Sequence, residues 1–202
     1  MKRLALPGSG SFRKYLVLLI LVPAGYLLQV CVMPYIRPFG VSPNLLYTVI
    51  AIVTVAYGRL RAFWVGLIYG LVMEIMLPSV SFLNLALYTV PPLFLSFVFS
   101  DRSAKAIELD RALNRKSREM PAWLRTILCA MSNTLVYEIV NLVYIFLGGS
   151  SITSDHIVRA VADVLLTGCL ALALTFPIRR LIFGKKTVVP VLKNTPIVFG
   201  RK

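Results

Sequence analysis

Acidic side chains are scarce in this chain: 8 Asp and Glu stand against 22 Lys and Arg among 202 residues, and the only histidine is His156. So few acids and a single imidazole leave little material for general acid–base chemistry. His156 lies in "GGSSITSDH" with no nucleophile or metal partner at useful spacing, and Ser81 and Ser132 have no base spaced to activate them. A Gly-rich phosphate loop, a paired Cys-x-x-Cys and an H-E-x-x-H motif are all missing. The expectation is a protein that is not an enzyme and uses no metal and no cofactor. The three cysteines, Cys31, Cys129 and Cys169, fall inside apolar blocks at no metal-ligand spacing, which fits small buried hydrophobes. A small-x-small cleavage site is also lacking after the basic N-terminal flank. The apolar stretch runs on to Met33 and is expected to stay as a span, and "LQVC" (Leu28 to Cys31) only loosely imitates a lipoprotein box because Val30 suits cleavage poorly.

What the chain does have is apolar residues, 58% of the total, gathered in long blocks that raise the mean hydropathy to +0.80. A soluble core of this size needs no such blocks, so an all-α integral membrane protein forming one domain over residues 1–202 is expected. Six spans can be drawn: Tyr15 to Met33, Pro43 to Tyr57, Ala62 to Leu77, Phe82 to Phe99, Thr126 to Leu147 and Ala160 to Ile178. The second and third are short and joined only by "GRLR", which also fits a hairpin that enters and leaves on one side. Charge argues for crossing. With the N-terminus inside, 20 of the 22 basic residues fall in inner segments and only Arg37 and Arg159 lie outside. Both termini are then cytoplasmic. The net charge of +14 sits in short clusters between apolar blocks, where anionic membrane lipids, and no nucleic acid, are the expected partner.

Two segments lie outside the spans. Asp101 to Pro121 mixes both charge signs and spaces Ile107, Leu109, Ala112, Leu113 and Met120 roughly on one helical face, fitting a cytoplasmic surface helix, a partner-docking site or a solvated linker. A basic tail covers 185–202. Within the spans, Pro23, the pair Pro91–Pro92 and Pro177 remove backbone donors and should kink their helices, leaving carbonyls for neighbours to satisfy.

Polar groups inside the apolar blocks are the candidate sites. Gly58, Ala62, Gly66, Gly70 and Glu74 recur every four residues, a stripe of small groups ending in a carboxylate. Such a stripe packs a helix of the same bundle or of a partner. Twelve residues at about 1.5 Å each place Glu74 roughly 18 Å beyond Ala62, toward the outer side. Arg159 and Asp163, four apart, are spaced for an internal ion pair; Glu138 and Asn141 form a second patch beside Tyr137 and Tyr144. Three carboxylates on three spans also admit an ion path.

The stretch "FGVSPNLLYTVIAIVTVAYGRLRAFWVGLIYGLVMEIMLP", Phe39 to Pro78, resembles the bacterial rod shape-determining MreD family. Gly40, Pro43, Asn44, Leu45 and Leu46 match its Gly-x-x-Pro-Asp/Asn-Leu-Leu entry to the second span. Gly66, Gly70, Leu71 and Glu74 match its Gly-x-x-x-Gly-Leu-x-x-Asp third span, with Glu in place of the usual Asp. The resemblance implies a non-enzymatic scaffold of the cell-elongation machinery in the bacterial inner membrane. The implied partners are the bitopic protein MreC, the glycosyltransferase RodA with its penicillin-binding transpeptidase, and MreB filaments directly or indirectly. That family's fold is similar to the substrate-binding membrane subunits of energy-coupling-factor transporters, so a small-molecule-binding subunit of such a transporter is the alternative.

Overall fold

In the computed structural model, residues 9–76, 81–100 and 120–183 are described, and among them there are helices and turns but no strand. The expected surface segment, except for Met120 and Pro121, and the basic tail lie outside the described residues. Among the described residues six α-helices follow one another: α1 (Ser9–Cys31), α2 (Leu45–Tyr57), α3 (Arg59–Met76), α4 (Leu83–Phe99), α5 (Ala122–Leu147) and α6 (Ser154–Phe183). Two short 3-10 turns, Met33–Tyr35 and Pro38–Gly40, carry the chain from α1 toward α2.

Tyr57 Oη donates to the Lys14 carbonyl and Arg13 Nε to the Leu181 carbonyl, so α1 begins where α2 and α6 end. At the other end, the Leu45 amide donates to Gln29 and the Phe82 amide to Glu74. Arg125 Nη1 reaches the Ser100 carbonyl, which closes the same pattern for α4 and α5. The helices therefore alternate in direction. Arg13, Lys14, Arg59, Arg61, Arg125, Arg179 and Arg180 share one end of the bundle, hereafter the basic end, and Arg37 and Arg159 lie toward the other.

The helix at the centre is α2. Every residue from Leu45 to Val55 is buried, and α2 packs against each of the other five helices. A helix apolar on all sides belongs inside a bundle. Its β-branched run "TVIAIVTV" keeps side-chain bulk near the backbone, and Thr48 and Thr54 satisfy their hydroxyls on the carbonyls four residues back, at 3.3 and 2.8 Å. At 13 residues, α2 is about 20 Å long, shorter than the hydrocarbon thickness. Among the described residues, three segments are long and apolar enough to cross a membrane: Phe12–Tyr35, Ala122–Leu147 and Ser154–Ile182. Helices α2 and α4 are apolar but shorter, and α3 carries Arg59, Arg61 and Glu74.

The join between α2 and α3 is one residue, Gly58, whose φ of 86° and ψ of 178° lie in a region almost closed to residues with a Cβ. Its N–H closes α2 on the Thr54 carbonyl and its own carbonyl accepts from the Ala62 amide, opening α3. Helix α4 survives two internal prolines because a neighbour takes up what they release. Pro91 cannot donate to the Leu87 carbonyl, and Tyr47 Oη donates to that oxygen at 3.3 Å from the core of α2. Pro92 likewise frees the Tyr88 carbonyl, and against this oxygen α3 brings Gly66, where a Cβ would come within 2.2 Å.

Outward faces are apolar over α1, α3, α4, α5 and α6: Leu19, Trp64, Ile75, Phe94, Leu135, Ile139, Val161 and Leu165 are all exposed. A surface of this kind fits lipid and not water. The protein is an all-helical membrane protein. Of the cysteines only Cys129 is buried; Cys31 and Cys169 sit on the exposed apolar surface, a correction to the expectation that all three are internal.

Candidate functional site

Asn44 organises the end of the bundle opposite the basic end. It caps α2, accepting at Oδ1 from the Tyr47 amide at 3.3 Å, while Gln29 of α1 accepts from the Leu45 amide at 2.6 Å. Two of the four orphan N–H groups of α2 are thereby satisfied by side chains. The Asn44 amide donates to Thr167 Oγ1 at 3.0 Å, and that hydroxyl donates onward to Asp163 Oδ1 at 3.2 Å. Asn44 Nδ2 donates to Tyr88 Oη at 3.4 Å. Asn44 thus links α2 to α4 through its side chain and to α6 through its backbone N–H, which gives the Asn-Leu-Leu entry, with Pro43 buried just before it, a structural reason.

Above this network lies a cavity of about 380 Å³. Asp163 is deep in it, 6% exposed, and Glu138 of α5 is within hydrogen-bonding reach of Asp163. Asn141 and Arg159 line the same cavity from exposed positions, and Tyr88 and Tyr137 form its aromatic wall. Behind that wall Tyr47 stacks on Tyr88, with ring centroids 4.6 Å apart and planes 10° from parallel. The i, i+4 spacing of Arg159 and Asp163 suggested an ion pair. Asp163 instead accepts a hydrogen bond from Thr167 and faces Glu138, because it turns inward while Arg159 stays exposed. Of the candidate residues, Asn44, Glu138, Asn141, Arg159 and Asp163 come together here. Gln29, Thr167 and Tyr88 join them without having been singled out by sequence.

Glu74 belongs elsewhere. Its Oε1 accepts from the Phe82 amide at 2.7 Å and its Oε2 from the Asn84 amide at 3.1 Å, so it caps α4 across the turn. Phe82 is left-handed, φ 64°, and its own side chain provides no cap. A carboxylate at a helix N-terminus meets both the orphan donors and the positive end of the helix dipole. Gly66 and Gly70 complete the same seam. A Cβ on Gly70 would approach Leu85 Cα to 2.9 Å, so the small-residue stripe packs α3 on α4 of this same chain. Gly66, Gly70 and Glu74 are therefore separate from the polar cavity and line none of it.

A second concavity of about 930 Å³ opens between α1 and α3. Its walls are Leu19, Val22 and Tyr26 on one side and Trp64, Ile68 and Val72 on the other. Tyr69 forms its floor and donates to the Val22 carbonyl at 2.9 Å. The one charged lining residue is Arg61, which donates to Tyr15 Oη at 2.9 Å and stacks 4.9 Å from the Tyr15 ring at the basic end. Leu19, Trp64 and Ile68 remain exposed along this groove. Compared with protein-family models and with curated proteins, the chain matches none.

Proposed function

We propose that this protein is a non-enzymatic scaffold of the bacterial cell-elongation machinery, of the MreD kind, crossing the inner membrane six times with both termini in the cytoplasm. Its task is to hold MreC and, through it, to help position RodA, the penicillin-binding transpeptidase and MreB filaments for wall synthesis. The observation that carries this reading is the α1–α3 groove, an apolar slot lined from Phe12 to Tyr26 on α1 and from Arg61 to Val72 on α3 that none of the chain's described helices fills. A bitopic partner offers one apolar helix for such a slot, and close packing of side chains drives association in lipid. The alternating helices and the gathering of basic residues at one end support the six-span topology. The short α2 fits it too, because Leu45 to Val55 are buried inside the bundle.

Gentle solubilisation tests the reading. Tagged protein should retain MreC, and the double substitution Leu19→Trp with Ile68→Trp, which fills the slot, should lose it while the melting temperature stays near wild type. Retention of MreC by the filled variant, or its absence from the wild-type complex, counts against the scaffold. The alternative, a small-molecule-binding subunit of an energy-coupling-factor-type transporter, is favoured by the polar cavity alone. It requires substrate uptake that fails when the gene is deleted.

A further inference from the structure

The polar cavity is larger than the capping network needs. Asn44, Gln29 and Thr167 satisfy the start of α2 by direct bonds, yet about 380 Å³ of space remains beside them, within the range of ligand sites, which run from about 300 to 1,000 Å³. The chemistry around that space is graded. Its deep part holds Asp163 and Glu138, two acids within hydrogen-bonding reach of each other, next to the rings of Tyr88 and Tyr137. Its mouth holds Arg159, an exposed guanidinium, and Asn141.

Two facing acids repel unless a proton or a positive group stands between them. The basic residue four positions away does not fill that role, since Asp163 bonds Thr167 and Arg159 stays at the mouth. Carboxylates beside tyrosine side chains suit an ammonium group, which is drawn first to their negative charge. A guanidinium at the entrance suits a carboxylate or phosphate, which it binds in a fork.

We propose that this cavity binds a small zwitterion, its ammonium between Glu138 and Asp163 and its anionic group on Arg159. On entry, the ammonium takes the place of any proton shared by the two acids. The same chemistry is offered by a free amino acid and by the headgroup of phosphatidylethanolamine. The site stands whether or not the chain is a scaffold, because it shares no lining residue with the α1–α3 groove.

The test uses the full chain in phosphatidylglycerol nanodiscs, with thermal unfolding as the readout. One arm adds 4-aminobutyrate, with butylamine and butyrate as its two halves; the other dopes the nanodisc with phosphatidylethanolamine. A bound zwitterion at a hundredfold excess over its Kd should raise the midpoint by about 5 °C or more. Butylamine should do less and butyrate nothing. Glu138→Gln, whose side chain makes no bond that the helix ends depend on, should weaken the response at least about tenfold. Arg159→Gln should bring 4-aminobutyrate down to the level of butylamine. A response confined to the doped nanodisc identifies the lipid headgroup as the source; a response to the soluble compound identifies a free ligand. No shift in either arm, or a shift that Glu138→Gln leaves intact, overturns the proposal. Equal stabilisation by butylamine and 4-aminobutyrate in the wild type would do so as well, since the site would then hold a simple cation.

Discussion

Removing the Glu74 carboxylate should loosen the start of α4, and the size of the effect follows from its two bonds. Glu74 accepts from the Phe82 and Asn84 amides at 2.7 and 3.1 Å. Bonds to a charged acceptor contribute about 1.5–3 kcal/mol each, and the lower figure applies to a partly exposed group. In Glu74→Ala both donors lose their partner, and Phe82 keeps its left-handed backbone without the bond that held it, so a loss of about 2–3 kcal/mol is expected. For a chain of this length that corresponds to a drop of about 4–12 °C in melting temperature. Glu74→Gln keeps one neutral acceptor oxygen and should lose about half as much. Circular dichroism at 222 nm in mild detergent reads the series, with the order wild type, Gln, Ala. An Ala variant that melts with the wild type, or a Gln variant no better than Ala, would refute the capping role. A Gln variant that abolishes function at unchanged stability would revive an ion-carrying role.

Four further substitutions probe the bundle. Tyr47→Phe leaves the carbonyl released by Pro91 without a donor in the core and should cost about 1–3 kcal/mol, read as lowered resistance to denaturation by added sodium dodecyl sulfate. Gly66→Ala puts a Cβ 2.2 Å from the Tyr88 carbonyl, so α3 and α4 must part; overpacking of this kind costs about 1–3 kcal/mol, and Gly70→Ala, at 2.9 Å, should be milder in the same assay. Gly58→Ala forces a Cβ into the backbone conformation that joins α2 to α3 and should cost about 1–3 kcal/mol, seen as a lower melting temperature with unchanged helix content.

The six apolar segments were legible because long apolar runs punctuated by charge have few other meanings. Helices Arg59–Met76, Ala122–Leu147 and Ser154–Phe183 begin a few residues before the spans drawn from hydropathy, since polar residues at the boundary are helical too. The central place of α2 was not legible: "LLYTVIAIVTVAY" reads alike whether protein or lipid surrounds it. The purpose of Glu74 stayed hidden for a different reason. Its partners are backbone amides, which leave no mark on the sequence, and they lie beyond a turn. Spacing misread Asp163, because helical proximity to Arg159 says nothing about the alternatives that Thr167 and Glu138 offer from nearby. The role of Tyr47 depends on a proline more than 40 residues away. The groove between α1 and α3 is a space left between helices, which no pattern of residues announces.

The scaffold account rests on a partner helix lying in that groove, and site-specific photo-cross-linking in living cells reaches it most directly. A photoreactive side chain at Leu19 or Ile68, inside the groove, should give an adduct with MreC, whereas one at Val161 or Leu165, on the exposed face of α6, should not. Adducts of equal yield from both faces, or none from the groove in cells that make MreC, would contradict it.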